Sequence, residues 1–178
     1  DSYESDLKGS YQANNIKTAL QTIVEINKKG FLVNEEAIKN GLLHVVQNTG
    51  LHGRWQVLQN QPKLICDTAH NREGLTYVMQ QLQKENYVNL HIVLGMVNDK
   101  NLETIIDLFP KEARYYFCRP NVLRGMDSDE LREHFVKKGY AGMTYNSVSE
   151  ALKSAKKNAV KTDLIYVGGS TFVVAEII

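Results

Sequence analysis

The chain has 178 residues, 43% hydrophobic and 23% charged, with a formal net charge of +1. That length suits one domain, or one domain plus a piece of another, and buries roughly 70% of the unfolded surface without disulfides or metal. The near-neutral balance gives no electrostatic case for nucleic acid or an anionic membrane. No apolar run approaches the about eighteen residues of a membrane span, and no signal peptide opens the chain.

Asp1–Ser5 has no initiator Met and no local logic, and a last strand-like segment runs straight into Ile178. We therefore expect a piece of a longer protein. Tyr11–Lys29 reads as a helix, with Ile16, Ala19, Leu20, Ile23 and Val24 on one face and Gly30 as its stop. Gln12 projects into that apolar arc and Asn15 sits at its edge. Such polar residues serve either a neighbouring backbone or a ligand. Asn34 can cap a second helix, with Glu35 and Glu36 at the positive end of its dipole and a stripe of Ile38, Leu42, Val45 and Val46. These helices, with no strand between them, form a segment of their own over residues 1–47. The polar, glycine-bearing stretch Asn48–Gly53 marks the boundary to the rest, 48–178.

Trp55–Gln59 and Lys63–Cys66 flank Asn60-Gln61-Pro62 as a hairpin. From Lys63 onward strands and helices alternate. The strands are Leu64–Cys66, Leu90–Leu94, Ala113–Cys118, Met143–Tyr145 and Leu164–Val167. The helices are one beginning near Asn71 with Leu75, Val78, Met79 and Leu82 on its apolar stripe, then Leu102–Phe109, Ser128–Lys138 and Ser147–Ala159. The last opens on a Ser147-x-x-Glu150 capping box. This alternation predicts an α/β fold: a three-layer, Rossmann-like, mostly parallel sheet with helices on both faces. Cys66 and Cys118, each ending an apolar run, read as small buried hydrophobes, which suits a reducing cytoplasm.

The polar or glycine clusters follow the carboxyl ends of strands: Asp67/His70/Asn71, Gly95 to Lys100, Arg119 to Arg124, and Gly168-Gly169-Ser170. In a parallel sheet those ends share one edge, where open α/β sheets bind ligands. Asp67 suits the paired hydroxyls of a ribose, or merely closes a turn. His70 belongs to the residue type that titrates near neutrality, and either orients and deprotonates an amine or bonds a turn carbonyl. Arg119 and Arg124 either hold a carboxylate or phosphate in a two-pronged geometry or are solvated surface arginines. Arg54, after Gly53, either lies across a phosphate chain or pairs with a glutamate. A helix start after Ser170 would offer N–H groups to an anion. His44, His52, His70, His91 and His134 show no metal-ligand spacing, and no Gly-x-x-x-x-Gly-Lys-Ser/Thr loop occurs.

Gly9-x-Tyr11-Gln12-x-x-Asn15, Gly53-Arg54-x-Gln56-Val57, Asp67-x-Ala69-His70-Asn71-x-x-Gly74, Asp99-Lys100 and Gly169-Ser170 occur in that order. In this the chain resembles the carboxyl-terminal part of folylpolyglutamate synthase/dihydrofolate synthase, a branch of the Mur ligase superfamily. The resemblance implies that residues up to about Gln47 are the last helices of a central ATPase domain and the rest a C-terminal Rossmann-like domain. It implies an ATP-dependent ligase in which a folate or dihydropteroate carboxylate becomes an acyl phosphate that the amine of glutamate attacks. Asn15 then resembles an adenine contact, Arg54 a phosphate contact and Asp67 a ribose contact. His70 resembles a catalytic residue near the incoming glutamate, Arg124 a contact to its carboxylate, and Ser170 a residue on the substrate side. The phosphate loop and the Mg2+ ligands are expected in a preceding part of the protein, so this portion is expected to be inactive alone, and the protein to be a monomer. Two departures stand in the motif, Thr68 where the family usually has Gly and Arg72 where it has Pro. A Mur-type ligase for another amino acid, and a non-catalytic nucleotide-binding module, are the alternative readings.

Overall fold

The structure, a computed structural model, describes residues 2–98 and 102–178. Three helices come first: α1 (Gln12–Asn27), α2 (Glu35–Leu43) and α3 (Val45–Thr49). A hairpin of β1 (Gln56–Asn60) and β2 (Lys63–Asp67) leads to α4 (Arg72–Leu82) and β3 (Leu90–Leu94). Then follow β4 (Arg114–Cys118), α5 (Ser128–Lys137), β5 (Gly142–Tyr145), α6 (Val148–Asn158), β6 (Leu164–Gly168) and α7 (Thr171–Ala175). The strands form one sheet in the order β1-β2-β6-β3-β4-β5, with β1 antiparallel to β2 and every other pairing parallel.

The order dictates the layers. The chain moves outward from β2 through β3 and β4 to β5, then returns through α6 to place β6 between β2 and β3. Right-handed crossovers put helices of the outward path on one face and those of the return on the other. Accordingly Leu75, Val78 and Leu82 of α4 and Leu131 and Phe135 of α5 share a core with Ile65, Ile92, Tyr115, Phe117 and Tyr166. Val148, Ala151 and Ala155 of α6 and Val173 and Val174 of α7 pack on Leu64, Cys66, Val93, Ile165 and Val167. Alternate residues of the inner strands thus face opposite cores, and Leu64–Cys66 of β2, Ile92–Leu94 of β3 and Leu164–Gly168 of β6 are apolar because both faces are covered. Cys66 and Cys118 are free and buried, with burial pushing the Cys66 thiol up to about 12.

Two stretches differ from the expectation. Residues 102–109 form no α-helix but two 3-10 turns, Leu102–Thr104 and Ile106–Leu108. Pro110 is the reason: it disfavours helical backbone in the residue before it, and Phe109 is extended at ψ 141°. The chain also ends in a helix rather than a strand. Gly169, at φ +94°, breaks β6, and Ser170 caps α7 by accepting the Phe172 N–H at 3.2 Å.

Where the sequence offered caps, the helices start on them. Asn34 accepts the Ala37 N–H, Asn71 the Gly74 N–H and Ser147 the Glu150 N–H. The leading segment is different in kind. Gln12 is the one buried residue of α1, and α2 and α3 have none. Its apolar stripes stay half open, and Phe31 and Leu32 are 62% and 97% exposed. Helix α3 runs through Asn48 and Thr49 and ends on Gly50, its left-handed cap.

At the amino ends of β3 and β6 a polar chain runs from exposed Asn158 to buried Tyr116, His91 and Asp163. Asn158 Nδ2 donates to the Tyr116 hydroxyl at 3.1 Å, which lies 2.9 Å from His91 Nδ1, and His91 Nε2 lies 3.3 Å from Asp163 Oδ2. A neutral imidazole with its proton on Nε2 satisfies every link. Burial pushes the His91 ring below its ordinary value, against the pull of Asp163. The unfolded chain therefore takes up a proton at about pH 6.5 that the folded chain refuses until lower pH, so stability is full above that value and lost as pH falls through it. We expect the melting temperature to drop between pH 7 and 5, and His91→Leu to flatten that slope while lowering the pH 7 value. An unchanged slope in the variant, by calorimetry, would remove His91 from the titration.

Candidate active site

Strand β2 ends at Asp67, opposite Gly168 at the end of β6. After β2 the chain turns to α4 on one face, and after β6 to α7 on the other. A crevice opens between two such diverging connections, beyond the carboxyl ends of the strands.

The turn that follows is built by its own side chains. Asp67 Oδ1 accepts the Ala69 N–H at 2.8 Å, and Asn71 caps α4. His70 Nδ1 sits 3.0 Å from the Thr68 carbonyl. A carbonyl only accepts, so Nδ1 holds the proton and Nε2 keeps a free lone pair. The two readings of His70, turn bond and proton acceptor, are thus compatible, since different nitrogens serve them. Its side chain is exposed.

Arg54 arrives on a second turn locked to the first. The Thr68 N–H donates to the Gly53 carbonyl at 2.9 Å, and a Cβ on Gly53 would lie 2.7 Å from the Thr68 methyl. Thr68 therefore fits because residue 53 is glycine. Trp55 has the left-handed φ of +48°, a costly backbone for a bulky residue. That geometry aims its N–H at Asp67 Oδ2, 2.7 Å away. The other departure is also absorbed: Arg72 takes the first position of α4, where Pro would fit, and donates to the Thr104 carbonyl.

The helical segment supplies the third wall. The Tyr11 hydroxyl donates to Asp67 Oδ2 at 2.6 Å. Gln81 of α4 accepts the Ser10 N–H at 2.6 Å and donates to the Lys8 carbonyl at 3.2 Å. Buried Gln12 accepts from Asn15 Nδ2 at 2.9 Å, which orients Asn15. Asp67 is 1% exposed. Burial raises its carboxyl above the ordinary range, opposed by the Tyr11, Ala69 and Trp55 donors and the Arg54 charge.

Together these walls enclose a cavity of about 360 Å3 that brings Asn15, Arg54, Asp67 and His70 together. Tyr11, Asn14, Thr68, Glu73 and Tyr77 also line it, and no role had been read for them. Only Tyr11 carried a signal, its place in the Gly9-x-Tyr11-Gln12 run. The Thr68 hydroxyl is buried with no hydrogen-bond partner among the described residues.

Arg124 and Ser170 lie on the same sheet edge but outside this cavity. The Arg124 guanidinium stands 5.2 Å from the centre of the Phe172 ring. Ser170 is buried, its hydroxyl spent on the α7 cap. Arg119 lines a separate hollow of about 560 Å3 with Asn146, Ser147 and Glu176. The strand-end loops are stitched to one another: Asn98 N–H to the Arg124 carbonyl at 3.0 Å, Met126 N–H to Met96 at 3.0 Å, and Asn121 N–H to Glu176 Oε1 at 2.7 Å. Asp99 and Lys100 lie outside the described residues. Among the described residues no cluster of three or more His, Cys, Asp or Glu side chains could hold a metal ion, and no helix is long and apolar enough to cross a membrane.

Residues 53–171 match the family described as Mur ligase, glutamate ligase domain. The chain is 32% identical over 171 residues to a probable bifunctional folylpolyglutamate synthase/dihydropteroate synthase of Haloferax volcanii, covering 96% of this chain and 20% of that protein. Among solved structures it resembles E. coli FolC in complex with DHPP and ADP, with TM-score 0.75 and 25% identity over 87% of this chain and 36% of that one. It also resembles a bifunctional folylpolyglutamate synthase/dihydrofolate synthase with Mn, AMPPNP and L-glutamate bound, with TM-score 0.71 and 28% identity over 83% of this chain and 34% of that one. The chain thus spans well under half the length of each. With Arg54, Asp67, His70 and Arg124 all inside the matched stretch, the chain belongs to the Mur ligase family, as a glutamate ligase domain related to the folylpolyglutamate synthase/dihydrofolate synthases.

Proposed function

We propose that the chain is the carboxyl-terminal portion of an ATP-dependent ligase that joins glutamate to a folate or pteroate carboxylate. One observation carries this reading: a single cavity at the switch point of the sheet brings Asn15 from the helical segment together with Arg54, Asp67 and His70. The ADP, AMPPNP and L-glutamate of the related structures agree in kind with those residues. The γ-phosphate of ATP passes to the substrate carboxylate, giving an acyl phosphate and ADP. The glutamate amine then attacks the acyl carbon, and phosphate leaves as the amide forms.

Asn15 serves the adenine, Arg54 the phosphates and Asp67 the ribose. His70, through its free Nε2, accepts the proton the amine sheds. Arg124 holds the glutamate α-carboxylate and Ser170 shapes the substrate side, both at the strand-end edge next to the cavity. Residues 1–47, whose apolar stripes on α1 and α2 stay half open, belong in this reading to a preceding ATPase domain. That domain supplies the phosphate loop and would hold the Mg2+ that offsets the phosphate charge. Free, buried Cys66 and Cys118 suit an enzyme of the reducing cytoplasm.

The full-length protein should release ADP and form a glutamyl conjugate when given ATP, Mg2+, glutamate and a folate or dihydropteroate. Equal use of unrelated amino acids would sink the glutamate assignment. Residues 1–178 alone should show neither ATP hydrolysis nor ligation, because no stretch here can cradle the β- and γ-phosphates.

Kinetics of single variants test the division of labour. Arg124→Ala should raise the glutamate KM tenfold or more, the loss of a charge-assisted, two-pronged bond, with ATP KM little changed and poor rescue by Lys. His70→Ala should lower kcat by about 10²-fold or more, as for loss of a general base. A change confined to ATP at either position would put that residue on the wrong side of the bond being made.

A further inference from the structure

We propose that Tyr11 is a second ribose-recognising residue of this site, its phenolic oxygen accepting one hydroxyl of the diol while Asp67 accepts the other. The proposal rests on the reading that ATP places its ribose at Asp67.

A carboxylate offers about four acceptor positions. At Asp67 two on Oδ2 are taken by the Tyr11 hydroxyl at 2.6 Å and the Trp55 N–H at 2.7 Å, and one on Oδ1 by the Ala69 N–H at 2.8 Å. One position remains, on Oδ1, of a side chain 1% exposed. A ribose presents two neighbouring hydroxyl donors, and one acceptor position cannot take both. Tyr11 lines the same cavity and is less deeply buried than Asp67, and its oxygen, having given its proton to Asp67, keeps one acceptor position beside the one that faces Gln12. It is the next acceptor a diol meets.

Tyr11 is also held as a recognition residue must be. Its ring packs against the core that contains Trp55 and Leu75. A Cβ on Gly9 would lie 2.7 Å from that ring, so the fold-back of Lys8–Tyr11 needs glycine there. Gln81 pins the backbone on both sides of it. Burial and the neighbouring carboxylate both push the phenol above its ordinary range, so the proton donated to Asp67 stays in place at any working pH.

The test compares ATP, 2′-deoxy-ATP and 3′-deoxy-ATP as substrates of the full-length ligase, wild type and Tyr11→Phe. In the wild type each missing hydroxyl should cost between about three- and tenfold in KM, since each has its own acceptor. Tyr11→Phe keeps the ring in front of Oδ2 and removes the second acceptor together with the hydrogen bond it gives Asp67. It should raise the ATP KM by a similar factor, leave the glutamate KM alone, and abolish the penalty for one deoxy analogue while keeping the other. A merely structural Tyr11 would leave both penalties standing in the variant, and that result overturns the proposal alone. A wild-type penalty at only one position overturns it too, without recourse to the variant. No wild-type penalty at either position overturns the proposal together with the placement of the ribose at Asp67.

Discussion

The Asp67 carboxylate is the interaction on which the rest of the site depends. It takes donors from three separate pieces of chain: Tyr11 before the first helix, Trp55 before the hairpin, and Ala69 in its own turn. A buried carboxylate without partners costs several kcal/mol, so each donor is held in place by what its loss would expose. That explains two otherwise odd features. Trp55 tolerates a left-handed backbone because only there does its N–H reach Oδ2. The helical segment, with Gln12 as its one buried residue in α1, stays docked because Tyr11 and Gln81 tie its first turn to β2 and α4.

The position of that carboxylate follows from topology. Because β6 returns between β2 and β3, the connection after β2 leaves toward one face and the one after β6 toward the other. The gap between them exists before any loop residue is chosen. The loops then decide what the gap can hold, and here they bring an amide, a guanidinium, a carboxylate and an imidazole within one cavity of about 360 Å3.

Much of this was legible in the sequence, and the failures have physical causes. Strand ends at Asp67 and Cys118 and caps at Asn34, Asn71 and Ser147 are local matters, and short-range chemistry announces them. Residues 102–109 carried helical apolar spacing, but Pro110 governs the backbone before it. The final segment looked strand-like because its valines are β-branched; the Gly169-Ser170 break and burial on the second core decided otherwise. Which clusters meet was not legible, because strand order is not written locally. Arg124 and Ser170 share the edge with Asp67 yet lie outside its cavity. The Tyr11 hydroxyl finds Asp67 across 56 residues, a pairing that no periodicity encodes.

Among the described residues two aspartates are buried, at opposite ends of the sheet, and they differ in how completely the fold satisfies them. Asp163 accepts four hydrogen bonds, from the Asn89 N–H and Nδ2, the Val160 N–H and His91 Nε2. Its acceptor capacity is full, and although burial pushes its carboxyl up, those donors outweigh burial and hold it below the ordinary range. Asp67 accepts three, and there burial wins and the carboxyl stands above that range. One carboxylate is finished by the fold; the other is left one donor short, facing a cavity. An acid so placed is stabilised by a further donor, and its unfilled position is where a hydroxyl would be accepted.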